Sequence, residues 1–466
     1  MAIPRLYERL TQHGAVDNFR PGVAHRGFWF ADSDLYKWME AAAWAGGGEE
    51  LEESVALVLA AQHDDGYLNT YFGTDGKPGR WHDPTWSHEL YCAGHFLQAA
   101  IARAQTLGLT DLLEAGVRLA DRIAADVPDG WRDHHPVIEM ALVELYRTTG
   151  MARHLDLAID LADRAPWREL DRLWGHAVCA LYFASGLTDI AIETGDAERQ
   201  DTVRRWYRDL LDTSIYITGA VGGRWVAEAV GLPYELPQAR SYTETCASVA
   251  AMQWHERMHR LDGSAESAHW LGRTLHNAFL AGISEAGDEW FYATPHATTC
   301  DVEFHPWIGD ALPAQIAGPM PLRRAPWRDV ACCPPNATRW LARLPHLARD
   351  LALTIPDPDP TSPARWIEAN HRVESLRGCV ALYCEPFVHC FEGVDNPGID
   401  LRDIAVDPDS AVRRDGEGFV IDGFELRADS LYEPTTRGVA RELRTIPFHR
   451  FANRGDSPMI MWVNRL

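Results

Sequence analysis

Asp32-Ser33-Asp34-Leu35-Tyr36-Lys37-Trp38-Met39-Glu40-Ala41-Ala42-Ala43-Trp44 is stopped by Gly46-Gly47-Gly48 and followed by a second apolar-periodic segment, residues 49–62. Asp32 or Ser33 is placed to cap a helix, the apolar residues after it fall at helical spacing, and the glycines end it. The unit is therefore a helix pair. Further pairs are expected at 87–107 with 110–126, 136–149 with 152–163, 170–185 with 188–213, and 242–260 with 264–281, then a helix at 336–352. The first 30 residues read as polar and irregular. Paired helices repeating roughly every 45–55 residues predict a helical toroid or solenoid. No repeat is strict enough for an open solenoid, so the expectation is a closed (α/α)6 barrel.

Composition changes at Pro356-Asp357-Pro358-Asp359-Pro360-Thr361-Ser362-Pro363, a linker or exposed loop. Beyond it the periodicity moves toward two, with strands expected in Gly378–Cys384, Gly418–Ile421 and Met459–Val463. The fold class expected is mainly α with a β domain: a barrel over residues 1–355 and a short, truncated β-sandwich over 356–466.

The 466 residues can bury large cores. With 44 basic against 67 acidic residues the net charge is −23, which argues against nucleic acid or an anionic membrane surface as partner. The N-terminal segment has no apolar core of a signal peptide, and no apolar run reads as a membrane span. Nine scattered cysteines fit thiols in a reducing cytoplasm better than a disulfide framework.

Chemistry is concentrated at Ala331-Cys332-Cys333-Pro334-Pro335-Asn336. The two prolines fix φ and remove two donors, so the cysteine pair sits on a stiff turn. Adjacent cysteines do not easily bond each other, which leaves both thiols free. Glu244-Thr245-Cys246 offers partners, and the Cys3Glu set Glu244, Cys246, Cys332 and Cys333 suits tetrahedral Zn²⁺. The spacing is not that of a zinc finger, and on spacing alone the four read equally well as ordinary residues, two of them buried thiols.

Glu244-Thr245-Cys246-Ala247-Ser248 and Cys332-Cys333-Pro334-Pro335-Asn336 resemble the two signature motifs of glycoside hydrolase family 127, the β-L-arabinofuranosidases, related to family 146. The resemblance runs from about Asn18 to the C-terminus. It implies the (α/α)6 catalytic barrel, zinc on the four residues, and Cys332 as nucleophile. Glu228, in Trp225-Val226-Ala227-Glu228-Ala229, matches the acid/base, with Ala227 where relatives usually have Gly; its pKa is expected to be raised. His88, His135 and His176 resemble substrate-binding positions, with His135 preferred over His134 from its spacing to Pro136, and Tyr292 matches a position near the sugar. A neutral imidazole suits sugar hydroxyls because one nitrogen donates and the other accepts, although a single His is more often a core residue. Two departures bear on sugar preference: Gly272 replaces a glutamate of the relatives' motif, and His276 a tyrosine. Trp29, Trp38, Trp81, Trp86, Trp225, Trp307 and Trp327 fit sugar stacking or, for most of them, the barrel core.

The resemblance implies a retaining glycosidase acting on a small imported oligosaccharide or glycoside, in the cytoplasm, with a homodimer open to it. Two other readings remain: a catalytically retired or retuned sugar-binding relative with a structural zinc, and an (α/α)6 sugar epimerase or isomerase that needs no zinc thiolates.

Overall fold

The computed structural model describes all residues except 1, 240, 299–323, 351–361, 428–429 and 433–435. Most of the expected composition break at 356–363, and Trp307, lie outside the described residues.

Twelve helices are described: α1 (Ala2–Gln12), α2 (Asp32–Trp44), α3 (Glu49–Ala61), α4 (Glu89–Leu107), α5 (Asp111–Asp126), α6 (Ile138–Thr149), α7 (Ala152–Asp163), α8 (Ala177–Thr194), α9 (Ala197–Thr213), α10 (Thr245–Asp262), α11 (Ala265–Thr274) and α12 (Cys333–Asp350). The even-numbered helices form a ring: α2 packs on α4, then α6, α8, α10, α12 and back on α2. The odd-numbered helices stand outside. Burial follows this division, with α2 buried from Asp32 to Ala43, whereas α3 buries only Leu51, Ser54, Val55 and Val58. This is the expected (α/α)6 barrel.

Close approach of the inner helices needs glycine at two places. A Cβ on Gly94 would lie 2.1 Å from Val137, and one on Gly186 would lie 2.8 Å from the Glu139 Cβ, so α4 and α8 reach α6 only without one. Gly186 corrects the predicted helix break at 185–188. The helix runs through it and ends at Gly195 (φ +68), where Asp196 caps α9 by accepting from the Arg199 N–H at 3.0 Å. By length and mean hydropathy α8 could cross a membrane, contrary to the sequence expectation, but 78% of it is buried in the barrel. Its Asp189 accepts from Arg257 of α10 at 2.5 Å.

Two more corrections concern the N-terminus. The supposedly irregular start holds α1, whose Leu6 and Leu10 are buried. Asp32 is not an N-cap; its carboxylate accepts from the Thr70 N–H (2.8 Å) and hydroxyl (2.5 Å), fastening a loop instead.

Polar side chains tie the ring across its interior. Arg339 of α12 donates to Glu40 of α2 (2.8 Å) and Gln98 of α4 (2.9 Å). Arg257 also reaches Glu144 of α6 (2.8 Å). Buried charges of this kind persist only when paired.

The C-terminal region is a strand assembly whose longest pair, Gly418–Arg427 with Thr436–Pro447, is antiparallel. Cys379–Cys384 is buried on both faces. Ala381 and Tyr383 pack with Ala281, at the end of the helical stretch that continues α11, with Phe291 and with Trp462; Val380 and Leu382 pack with Ile404, Ile421 and Leu443. Met459–Ile460 and Val463–Arg465 are separate strands, not one continuous run.

Candidate active site

Except for Glu228 and Tyr292, which come from connecting segments, the site residues arrive at the N-terminal ends of inner helices. His88 precedes α4, His135 enters α6, His176 caps α8, Glu244 precedes α10, and Cys333 opens α12. A barrel places these ends at one mouth, and their partial positive charges favour anions there.

Two segments 86 residues apart in sequence bring the sulfurs together. Cys246 Sγ lies 3.6 Å from Cys332 Sγ and 3.4 Å from Cys333 Sγ, and the pair itself is 3.8 Å apart. Glu244 Oε1 lies 3.7 Å from Cys332 Sγ and 3.6 Å from Cys333 Sγ. A tetrahedral ion with metal–sulfur bonds of about 2.3 Å sets sulfurs about 3.8 Å apart, close to these separations. Glu244 Oε2 is buried without a hydrogen-bond partner. The four residues fit a thiophilic dication such as Zn²⁺.

The electrostatics agree with that fit. Burial, then the Cys332 and Glu228 charges, pushes the Glu244 carboxyl well up. Cys332 is pushed well up by its contact with Cys246, and Cys333 by burial and both neighbouring sulfurs. Burial opposes ionisation of Cys246 too, but contacts with Cys332 and Cys333 bring it down to about 6. With one thiol ready to ionise and three neighbouring acids held back by burial and by one another, the cluster takes a dication's charge well. Lys37 adds a cation. It is fully buried in α2, 3.2 Å from Ser33 Oγ and 3.3 Å from Asp34 Oδ1, with its Nζ 5.0 Å over the Tyr91 ring. Burial favours the neutral amine, but Asp34, Cys332 and Cys246 outweigh it. Of the four candidate ligands, Cys332 alone is partly exposed.

Glu228 faces this cluster. One of its oxygens, one of Glu244 and a ring nitrogen of His176 lie within 4.8 Å of one another. Glu228 Oε2 is 2.6 Å from His176 Nε2, and Oε1 accepts from the Tyr292 hydroxyl at 3.4 Å. His176 Nδ1 accepts from the Val178 N–H (3.2 Å) at the start of α8, so the proton sits on Nε2 and points at Glu228. The expected rise in the Glu228 pKa is not found. Burial raises it, but the His176 hydrogen bond, with that of Tyr292, pulls it below the usual carboxylate value. Ala227 (φ +56) and Glu228 (φ +51) both occupy the left-handed region, as do His88 (φ +54) and Thr243 (φ +38) beside Glu244. Backbone strain thus gathers around the site.

The imidazoles form a row, His88 to His135 at 5.6 Å and His135 to His176 at 5.7 Å between ring centres. His135 belongs to it, whereas His134 is exposed. His88 is brought down to about 4 by burial and neighbouring histidines, and His135 lies well below its usual value for the same reasons. Both are neutral near pH 7.

Sequence reasoning missed what aligns this row. Asp133, buried, accepts from the Leu90 (3.0 Å) and Tyr91 (3.2 Å) N–H groups at the start of α4 and from the His135 N–H (3.0 Å). It thereby fastens the loop carrying His135 to the helix carrying His88. Burial raises its pKa to about 7. Its only local sign is the run Asp133-His134-His135-Pro136. Lys37 was visible as a lone cation on a helix otherwise suited to full burial. Of the tryptophans, Trp38 is core, Trp327 stacks on His13, and Trp86 is exposed.

Comparison with known proteins was made against this geometry. Residues 3–346 match the family model described as β-L-arabinofuranosidase, GH127 catalytic domain, and residues 364–464 match the glycoside hydrolase family 127 C-terminal domain. A non-reducing end β-L-arabinofuranosidase of Bifidobacterium longum subsp. longum is 32% identical over 385 residues, 71% of this chain. The match spans only 57% of that relative's length. A GH127 β-L-arabinofuranosidase from Geobacillus stearothermophilus T6 superposes with a TM-score of 0.88 at 23% identity, over 100% of this chain and 97% of that one. A second solved GH127 β-arabinofuranosidase gives 0.85 at 23% identity, over 100% and 94%. The β region that reads as short in sequence is therefore part of a chain matched nearly end to end by these folds.

Proposed function

The chain belongs to glycoside hydrolase family 127, and on that premise we propose that it is a retaining glycosidase releasing terminal β-L-arabinofuranose, with Cys332 as nucleophile and Glu228 as acid/base. The observation that carries this reading is the placement of the one accessible sulfur of the cluster across from a His176-bound carboxylate. We also place the division between catalytic and β domains at 355/356, in the proline-rich stretch.

Zn²⁺ held by Glu244, Cys246, Cys332 and Cys333 would keep Cys332 a thiolate near neutral pH. The remaining chemistry belongs to the side chains. Cys332 Sγ attacks the anomeric carbon and forms a C–S bond as the C–O bond breaks. Glu228 passes its proton to the departing oxygen. Glu228, now a carboxylate, takes a proton from water; the water oxygen attacks the same carbon and the C–S bond breaks. Sugar over the site removes the solvent that still reaches Glu228, which favours its protonated form. His88 and His135, being neutral, can donate to and accept from ring hydroxyls. Three convergent thiols have no role in a His-based epimerase, and the glycosidase reading accounts for them.

Product stereochemistry tests this. NMR during hydrolysis of a β-L-arabinofuranosyl disaccharide is expected to show the β anomer first, with mutarotation later. The α anomer appearing first would overturn the double displacement.

The His176–Glu228 bond predicts a pH effect with a definite sign. His176 holds the Glu228 pKa below its usual value against burial. In His176→Ala burial, the largest influence, outweighs the remaining tyrosine hydrogen bonds, so that pKa rises and the acid form persists to higher pH. The alkaline limb of kcat/KM should move up in pH, although overall activity falls with the lost sugar contact. A limb that stays or moves down contradicts the assignment of Glu228 as the acid.

A further inference from the structure

Among the described residues three large aromatic side chains are exposed: Trp86 (60%), Trp174 (68%) and Tyr432, which lies in the β region. Single exposed apolar residues are ordinary. The positions of the two tryptophans are not, since each lies two residues before a site histidine, Trp86-Ser87-His88 and Trp174-Gly175-His176. Each end of the imidazole row is thus preceded in the chain, two residues earlier, by an exposed indole.

Both are held on stiff backbone. Asp83 Oδ1 accepts from the Thr85 (2.8 Å) and Trp86 (3.3 Å) N–H groups, and the Ser87 N–H donates to Asp83 O at 3.0 Å. The His134 N–H donates to Pro84 O at 2.9 Å, tying this loop to the one that carries His135. On the other side the Val230 N–H donates to Gly175 O at 2.9 Å, and His176 pairs with Ala229, so the Trp174 segment is joined to the segment carrying Glu228. Val226, on that segment, is also exposed, at 44%. A preset aromatic face loses little freedom on binding, which favours recognition of a flat apolar surface.

We infer that Trp86 and Trp174 form the leaving-group subsite, two stacking platforms at the mouth that hold the second sugar ring of the substrate through its C–H face. This rests on the proposed glycosidase function. It assigns the specificity for what lies beyond the cleaved bond to these indoles, while the histidines and Glu228 handle the terminal sugar. Such a ligand is a disaccharide or longer glycan, not a simple alkyl glycoside.

The test compares a β-L-arabinofuranosyl disaccharide with methyl β-L-arabinofuranoside, using the full-length protein with its metal. Trp86→Ala and Trp174→Ala should each lower kcat/KM on the disaccharide by about tenfold, mainly through KM, with the methyl glycoside changed by less than about twofold. Trp→Phe should recover part of the loss. Equal losses on both substrates, or none on either, overturn the inference. Calorimetric titration of Glu228→Gln with the same two ligands makes the result independent of turnover. If the unaltered protein cleaves neither glycoside, the hydrolase reading fails. The calorimetric preference for the disaccharide, and its disappearance in Glu228→Gln carrying either tryptophan change, then decides the subsite alone. Absence of binding, or a smaller assembly on gel filtration of the double tryptophan variant, assigns the indoles elsewhere and sinks the proposal.

Discussion

Cys332→Ala is expected to lower kcat on β-L-arabinofuranosides by about 10^4-fold or more while leaving the barrel folded. The size follows from the loss of the only covalent route through the site. Water cannot simply replace the sulfur, because Glu228 has to act as the acid while the C–O bond breaks and cannot be the base for water in the same step. Glu244 faces the sulfurs and Glu228 is bound to His176. The fold should survive because Cys332 is the partly exposed member of its cluster, whereas Cys333 and Cys246 belong to the barrel core. Circular dichroism and a melting curve on the same sample separate lost chemistry from lost structure. Cys332→Ala protein that retains unaltered activity would remove the nucleophile from the account.

Removing the metal should bring the protein to the same activity floor and, unlike Cys332→Ala, also loosen the structure. The purified protein is expected to carry about one zinc per chain. Chelation, or Glu244→Ala or Cys246→Ala, leaves buried acids packed within 3.4–3.8 Å of one another without their counter-charge. Losing an ion bound about a thousandfold above its dissociation constant removes roughly 4 kcal/mol, a Tm fall of roughly 4 °C in a chain of this length. Metal analysis, activity and melting temperature should change together and recover together on adding zinc. Full activity in protein with far less than one metal per chain would refute the cluster's role. The reference point matters: Cys246 is brought to about 6 only by its neighbours' contacts, and the other two sulfurs are pushed up, so three thiolates coexist near neutrality only with a cation present.

Local sequence patterns carried the architecture well because amphipathic periodicity and glycine stops are short-range signals. The errors have local causes. Gly186 resembled a breaker but serves helix contact, and Asp32 resembled a cap but binds Thr70 across the loop. The first helix was hidden by its polar face, although Leu6 and Leu10 already sat one turn apart. Cys-Cys-Pro-Pro and Glu-x-Cys were legible as ligand chemistry from residue type, but the expected separate turn is instead the start of α12, because proline is tolerated in a helix's first turn, where its missing N–H has no partner to lose.

What the sequence determined by itself was therefore the helix-pair pattern, the candidate sulfurs and carboxylates, and the candidate histidines, although the expected helices 87–107 and 170–185 enclosed His88 and His176, which in fact precede α4 and α8. Only the tertiary structure decided that these meet. Closing six inner helices into a ring brings their N-termini to one mouth, and that closure sets Cys246 3.6 Å from Cys332 across 86 residues of chain. It also joined Asp133 to α4, turned His176 toward Glu228, and left Trp86 and Trp174 exposed. The physical reason is that periodicity reports which face of a segment is apolar, whereas distance, burial and pKa depend on which other segments that face finally touches.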